Sequence, residues 1–185
     1  MKIFIDQGHN PENPNAGAEG NGFREQDIVY EIGQRTASLL RSYGFEVRLS
    51  RPTPDTQLGT SNASSLAERV NAANTWGADY FISLHTNASE ITAASGSEAY
   101  VYRRDSEAEA LAFQILRRLN EATGLPNRGV AARPTLYVLR RTRMPAVLVE
   151  LGFITNPRDA ELLAYSPNLF AIGVTNGILT YLGIQ

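Results

Sequence analysis

The sequence contains no cysteine. A disulfide, a thiolate nucleophile and a cysteine-ligated metal are therefore all excluded. Histidine is almost as scarce, with two in 185 residues, His9 and His85. No run of about 18 apolar residues occurs, so no segment is expected to span a membrane. The opening Met1-Lys2-Ile3-Phe4-Ile5-Asp6 passes straight into a strand-like segment without the long apolar core of a signal peptide. The expectation is export by another route, or a catalytic domain separate from its targeting segment. Positive charge is not in excess either. Against 17 Lys and Arg stand 19 Asp and Glu, a net charge of -2. That balance lacks the basic face that nucleic acid demands, so no nucleic-acid partner is expected. The arginines do cluster locally: Arg103 with Arg104, Arg117 with Arg118, and Arg140, Arg141 and Arg143. The first two groups read as solvated faces.

What is present is an apolar share of 43%. This suffices for one domain over residues 1–185 with a proper core, and falls short of two comfortable ones. Ile3 to Asp6 reads as a strand ending at a turn at Gly8. Residues 10–22 form a loop dense in Pro, Gly and Asn, and a structureless loop of that length is usually functional. From Glu25 the apolar residues Ile28, Ile32, Leu39 and Tyr43 recur at helical spacing, with Gly44 as the stop. Phe45 to Leu49 alternates as a strand, Leu66 to Trp76 reads as a helix, and Tyr80 to Leu84 as a buried strand. Glu98 to Tyr102 is another strand, and Ser106 to Ala122 a helix ended by Gly124. Leu136 to Leu139 and Ala146 to Val149 read as the last strands, before helices near 157–165 and 168–182. Strands alternating with helices predict a single α/β domain, with a mostly parallel central sheet flanked by helices on both faces.

In such sheets ligands bind beyond the carboxyl ends of the strands. Three polar residues stand there: His9 after the first strand, His85 after Tyr80 to Leu84, and Glu150 after Ala146 to Val149. Both histidines of the chain occupy strand ends beside loops, which a chance surface placement does not explain well. Two neutral imidazoles and one carboxylate are a usual ligand set for catalytic zinc, with water in the fourth position. The carboxylate has two candidates. Glu12 gives the short spacing His-Asn-Pro-Glu, and Glu25 opens the first helix, where its charge suits the helix dipole. Spacing leaves that choice open. Glu150 follows four apolar residues, where a charge is costly without a purpose.

Six segments, in order, resemble the type 3 family of zinc-dependent N-acetylmuramoyl-L-alanine amidases. Asp6-Gln7-Gly8-His9 matches its opening Asp-x-Gly-His, and Gly22-Phe23-Arg24-Glu25-Gln26-Asp27 resembles the segment of its second ligand. Leu66-Ala67-Glu68-Arg69 with Asn71 to Asn74, continued by Ala78 to Ala88, is similar to the block holding the third. Gly96-Ser97-Glu98-Ala99-Tyr100, Asn127-Arg128-Gly129-Val130 with Leu136 to Arg140, and Pro145 to Pro157 complete the pattern. The loop after His9 departs from it: Asn10-Pro11-Glu12-Asn13 stands where the family often has Gly-Gly-x-Asp.

The resemblance implies one zinc ion held by His9, Glu25 and His85, with Glu150 as catalytic acid and base. It favours Glu25 over Glu12. It further implies hydrolysis of the amide joining N-acetylmuramic acid to L-alanine in peptidoglycan, outside the cell or in the wall; a monomer is expected. Asn87, close after His85, is a candidate for a hydrogen bond to substrate or for a turn. Arg140, at the end of Leu136 to Leu139, is a candidate for a stem-peptide carboxylate. Glu98 reads as a supporting group rather than a ligand. Two rival readings are a zinc peptidase using His9, Glu12 and His85, and a wall-binding module without catalysis.

Overall fold

A computed structural model describes residues 1–184. The chain opens with β1 (Lys2–Gln7), and a small hairpin of β2 (Glu19–Gly20) and β3 (Phe23–Arg24) closes the long loop that follows. Next come α1 (Glu25–Ser42), β4 (Glu46–Leu49), α2 (Asn62–Trp76), β5 (Tyr80–Asn87), β6 (Ser97–Val101) and α3 (Glu107–Thr123). The last third holds β7 (Asn127–Ala132), α4 (Tyr137–Arg141), β8 (Ala146–Phe153), α5 (Pro157–Tyr165) and α6 (Pro167–Tyr181). Six strands make one sheet in the order β4-β1-β5-β8-β6-β7. β4, β1, β5 and β8 run parallel, whereas β6 pairs antiparallel with β8 and parallel with β7. The expected single α/β domain with a mostly parallel sheet is what forms.

Strand alternation builds two cores. Ile3, Ile5, Ile82, Leu84, Val147 and Val149 face the side covered by α1, α3 and α6. Phe4, Phe81, Ala146 and Leu148 face the other, against Val70 and Ala73 of α2 and Val138 and Leu139 of α4. Burial on both faces is why these strands read as near-continuous apolar runs. α3 and α6 come together backbone to backbone, because a Cβ on Gly177 would sit 2.3 Å from the Ile115 Cα. No single helix among the described residues is long and apolar enough to cross a membrane.

Three expectations are corrected. Leu136 to Leu139 is not a strand: Tyr137–Arg141 is the short helix α4. β8 already has β5 and β6 as neighbours, so this segment cannot pair with the strand that follows it, and it buries the adjacent Val138 and Leu139 on the sheet face instead. A four-residue apolar run does not by itself distinguish the two states. β7 has no strand signature in Asn127-Arg128-Gly129-Val130-Ala131-Ala132, whose propensity is poor, and its pairing with β6 decides the matter. Finally, β5 and β8 are longer than their apolar runs, so His85 and Glu150 lie inside strands rather than after them.

Candidate functional site

His9 follows β1 on a turn held open by specific contacts. Its φ is +66°, a left-handed value that a non-glycine residue adopts only when its surroundings impose it. Arg69 of α2 supplies that constraint. Its guanidinium donates to the Gln7 and His9 carbonyls at 2.5 Å each, to Asp6 Oδ1 at 2.7 Å and to Asn10 Oδ1 at 3.2 Å. Gly8 is required between them, since a Cβ there would lie 2.5 Å from the His85 ring and 2.7 Å from the Leu84 carbonyl.

Glu25 is the first residue of α1 and is 3% exposed. Its Oε2 accepts the Ala18 N–H and its Oε1 the Thr86 N–H, both at 2.9 Å, which fixes the carboxylate between the loop and β5. Oε1 lies 3.2 Å from His9 Nε2 and 3.2 Å from His85 Nδ1, and the two nitrogens are 3.2 Å apart. Burial alone would raise the Glu25 carboxyl, but hydrogen bonds and charge from His85 and His9 hold it well below the usual carboxylate range. His85 is oriented from behind: its Nε2 is 3.2 Å from Ser83 Oγ, which donates to Asp6 Oδ2 at 2.7 Å. This triangle could hold a metal ion. Glu12 is no part of it, being 78% exposed and 3.3 Å from the Arg24 guanidinium.

Glu150 faces His85 across the β5–β8 ladder, just before the register shifts between His85 and Asn87. One of its oxygens, Oε2, is closed to solvent and has no hydrogen-bond partner among the described residues. Burial foremost, then the charges of Glu25 and Glu98, push the Glu150 carboxyl up to about 8. Glu98 stands directly opposite Glu150 because β6 runs against β8, which brings the start of β6 to the edge where β1, β5 and β8 end. Asn87 Nδ2 donates to Glu98 Oε1 at 2.5 Å, and Asn87 Oδ1 accepts the Ala88 N–H at 2.8 Å. The Asn87 amide is thus engaged within the protein, holding Glu98. Arg140 does not join the group. It lies in α4, beside Ala146 at the opposite end of β8 from Glu150.

The structure brings His9, Glu25 and His85 together and sets Glu150 across the ladder from His85. The Asp6–Arg69–Ser83 support was not read, although a carboxylate at the end of an apolar strand is itself a signal that a partner must exist. Fold and site together define an α/β domain with a two-imidazole, one-carboxylate cluster at its sheet edge and a buried carboxyl beside it.

The sequence profile of the N-acetylmuramoyl-L-alanine amidases matches residues 3–180. The N-acetylmuramoyl-L-alanine amidase LytC of Bacillus subtilis (strain 168) is 36% identical over 183 residues, covering 97% of this chain and 35% of the relative. The sporulation-specific N-acetylmuramoyl-L-alanine amidase of the same organism is 37% identical, over 96% of this chain and 67% of its own length. The catalytic domain of the amidase CwlV from Bacillus (Paenibacillus) polymyxa var. colistinus superposes with a TM-score of 0.87 at 32% identity, covering 100% of this chain and 99% of that one. The chain belongs to the N-acetylmuramoyl-L-alanine amidase family. It spans about a third of the length of LytC.

Proposed function

We propose that residues 1–185 form the catalytic domain of a peptidoglycan hydrolase cleaving the amide between N-acetylmuramic acid and the L-alanine of the stem peptide. In this reading one zinc ion is held by His9, Glu25 and His85. The observation that carries it is the near-equilateral triangle of ligand atoms, 3.2 Å on each side, in a chain of this family. Ligands at about 2.0–2.1 Å around a tetrahedral centre stand about 3.3–3.4 Å apart, so the residues fit zinc. The bound ion would act as a Lewis acid towards water and the amide carbonyl, and its charge would draw the Glu150 carboxyl back towards ionisation.

The protein's own groups do the rest. Thr86 and Ala18 N–H groups fix the Glu25 carboxylate, and Ser83 with Asp6 fixes the His85 ring. Glu150 accepts the proton of the attacking water as the water oxygen bonds to the lactyl carbonyl carbon. It then delivers that proton to the departing nitrogen as the C–N bond breaks, leaving a carboxylic acid and the amine of L-alanine. An amide nitrogen leaves poorly unless protonated, so a carboxyl that can both hold and release a proton near neutrality suits the step. The peptidase alternative loses its third ligand, because Glu12 points to solvent. A module that only binds wall polymers has no use for a buried, partnerless Glu150 oxygen. Acting on peptidoglycan puts the domain outside the cell or in the wall, and the site is complete within one chain, in keeping with a monomer.

Digestion of purified peptidoglycan tests the reaction. New amino groups should belong to L-alanine and the glycan strands should remain intact. New amino groups on any other residue would exclude the amidase reading.

A further inference from the structure

The arginines that close α4 have no part in the chemistry above. Arg140 and Arg143 line a depression of about 500 Å³ together with Arg103, which follows β6. All three are exposed. Their sequence neighbours are engaged: Arg104 pairs with Glu109, and Arg141 lies 6.0 Å from the centre of the Tyr137 ring. The guanidinium groups of Arg103, Arg140 and Arg143 have no ion pair or hydrogen bond among the described residues, and Glu107 is the single acid on the lining. In a chain of net charge -2, three unpaired guanidinium groups around one concavity stand out as a place for an anion.

The position of the depression says which anion. Ala146, the first residue of β8, lines it. Glu150 stands four residues further along the same strand, which is about 13 Å at about 3.3 Å per residue. Between them the β6 side of the ladder presents Glu98 and Tyr100, both half-buried, and the Arg133 guanidinium lies 5.1 Å from the centre of the Tyr100 ring. An extended peptide covers about 3.3–3.6 Å per residue, so one leaving the reacting amide over Glu98 and Tyr100 of β6, antiparallel to the buried β8, meets the arginines about four residues on. We propose that the depression lined by Arg103, Arg140 and Arg143 is a subsite for a carboxylate of the stem peptide, about four residues from the bond cleaved. The inference rests on the amidase reading for the direction in which the peptide runs. Guanidinium forks match carboxylates in bidentate geometry, which suits Arg140 to the contact.

Equilibrium binding tests the subsite without any turnover. The probes are a synthetic four-residue stem peptide beginning with L-alanine, as the free acid and as its C-terminal amide, titrated calorimetrically into the wild type and into an Arg140→Ala/Arg143→Ala variant. The acid should bind the wild type about tenfold tighter than the amide, the scale of one lost charge-assisted hydrogen bond, and the variant should lose that preference. Equal binding of acid and amide to the wild type would overturn the proposal, as would a preference that survives in the variant. Inorganic polyphosphate bound through the same arginines, with no binding of the peptide acid, would assign the depression to a phosphate polymer and overturn it too. An acid preference lost in the variant, with peptidoglycan digests lacking new L-alanine amino groups, would uphold the subsite and remove the amidase reading.

Discussion

A carboxylate sealed from water needs a cation, and Asp6 has Arg69. Both side chains are about as buried as any in the molecule, 2.7 Å apart, and the same guanidinium holds the turn that presents His9. Burial would raise the Asp6 carboxyl, but the Arg69 charge and the bonds from Ser83 and Arg69 outweigh it and leave it below its ordinary value. Folding therefore favours the ionised form. This contribution is complete above about pH 5 and is lost as the pH falls through the depressed folded value. Asp6→Asn should remove that acid-side dependence and cost about 3–5 kcal/mol in urea unfolding at neutral pH, because Arg69 is left buried and unpaired. A loss below about 1 kcal/mol would match an exposed pair instead. Glu150 makes a different prediction. Glu150→Gln keeps shape and loses the exchangeable proton, so turnover should fall by about 10²–10⁴-fold with the metal content unchanged. Retained turnover would take Glu150 out of the reaction. At this scale His9, His85 and Glu150 were legible, the histidines because there are only two and the glutamate because it interrupts an apolar strand. The Asp6–Arg69 pair was not, since 63 residues separate its members and no local pattern links them.

The elements explain which parts of the site could be anticipated. β1, β5 and β8 are parallel neighbours, so residues at their carboxyl ends had to converge. Glu98 escaped that logic because β6 runs the other way and contributes its beginning rather than its end. α4 was misread for want of length, and β7 for want of propensity. The close approach of α6 to α3 has a direct consequence. Gly177→Ala would set a methyl against the Ile115 backbone, and overpacking of this kind typically costs about 1–3 kcal/mol. The unfolding midpoint should drop accordingly, while metal content stays unchanged because neither Gly177 nor Ile115 belongs to the His9–Glu25–His85 cluster.

For the whole molecule, one half of the sheet edge carries the ligand cluster and the far end of β8 carries the unpaired arginines, with a net charge near zero overall. Catalysis and peptide recognition are in this account separated along a single strand. Catalysis depends on the first claim, that Glu25 and the two histidines hold a zinc ion. Elemental analysis of the purified chain beside His9→Ala, Glu12→Ala, Glu25→Ala and His85→Ala variants measures it directly. About one zinc per chain is expected in the wild type and in Glu12→Ala, and little or none in the other three. Zinc kept by Glu25→Ala and lost by Glu12→Ala would contradict it.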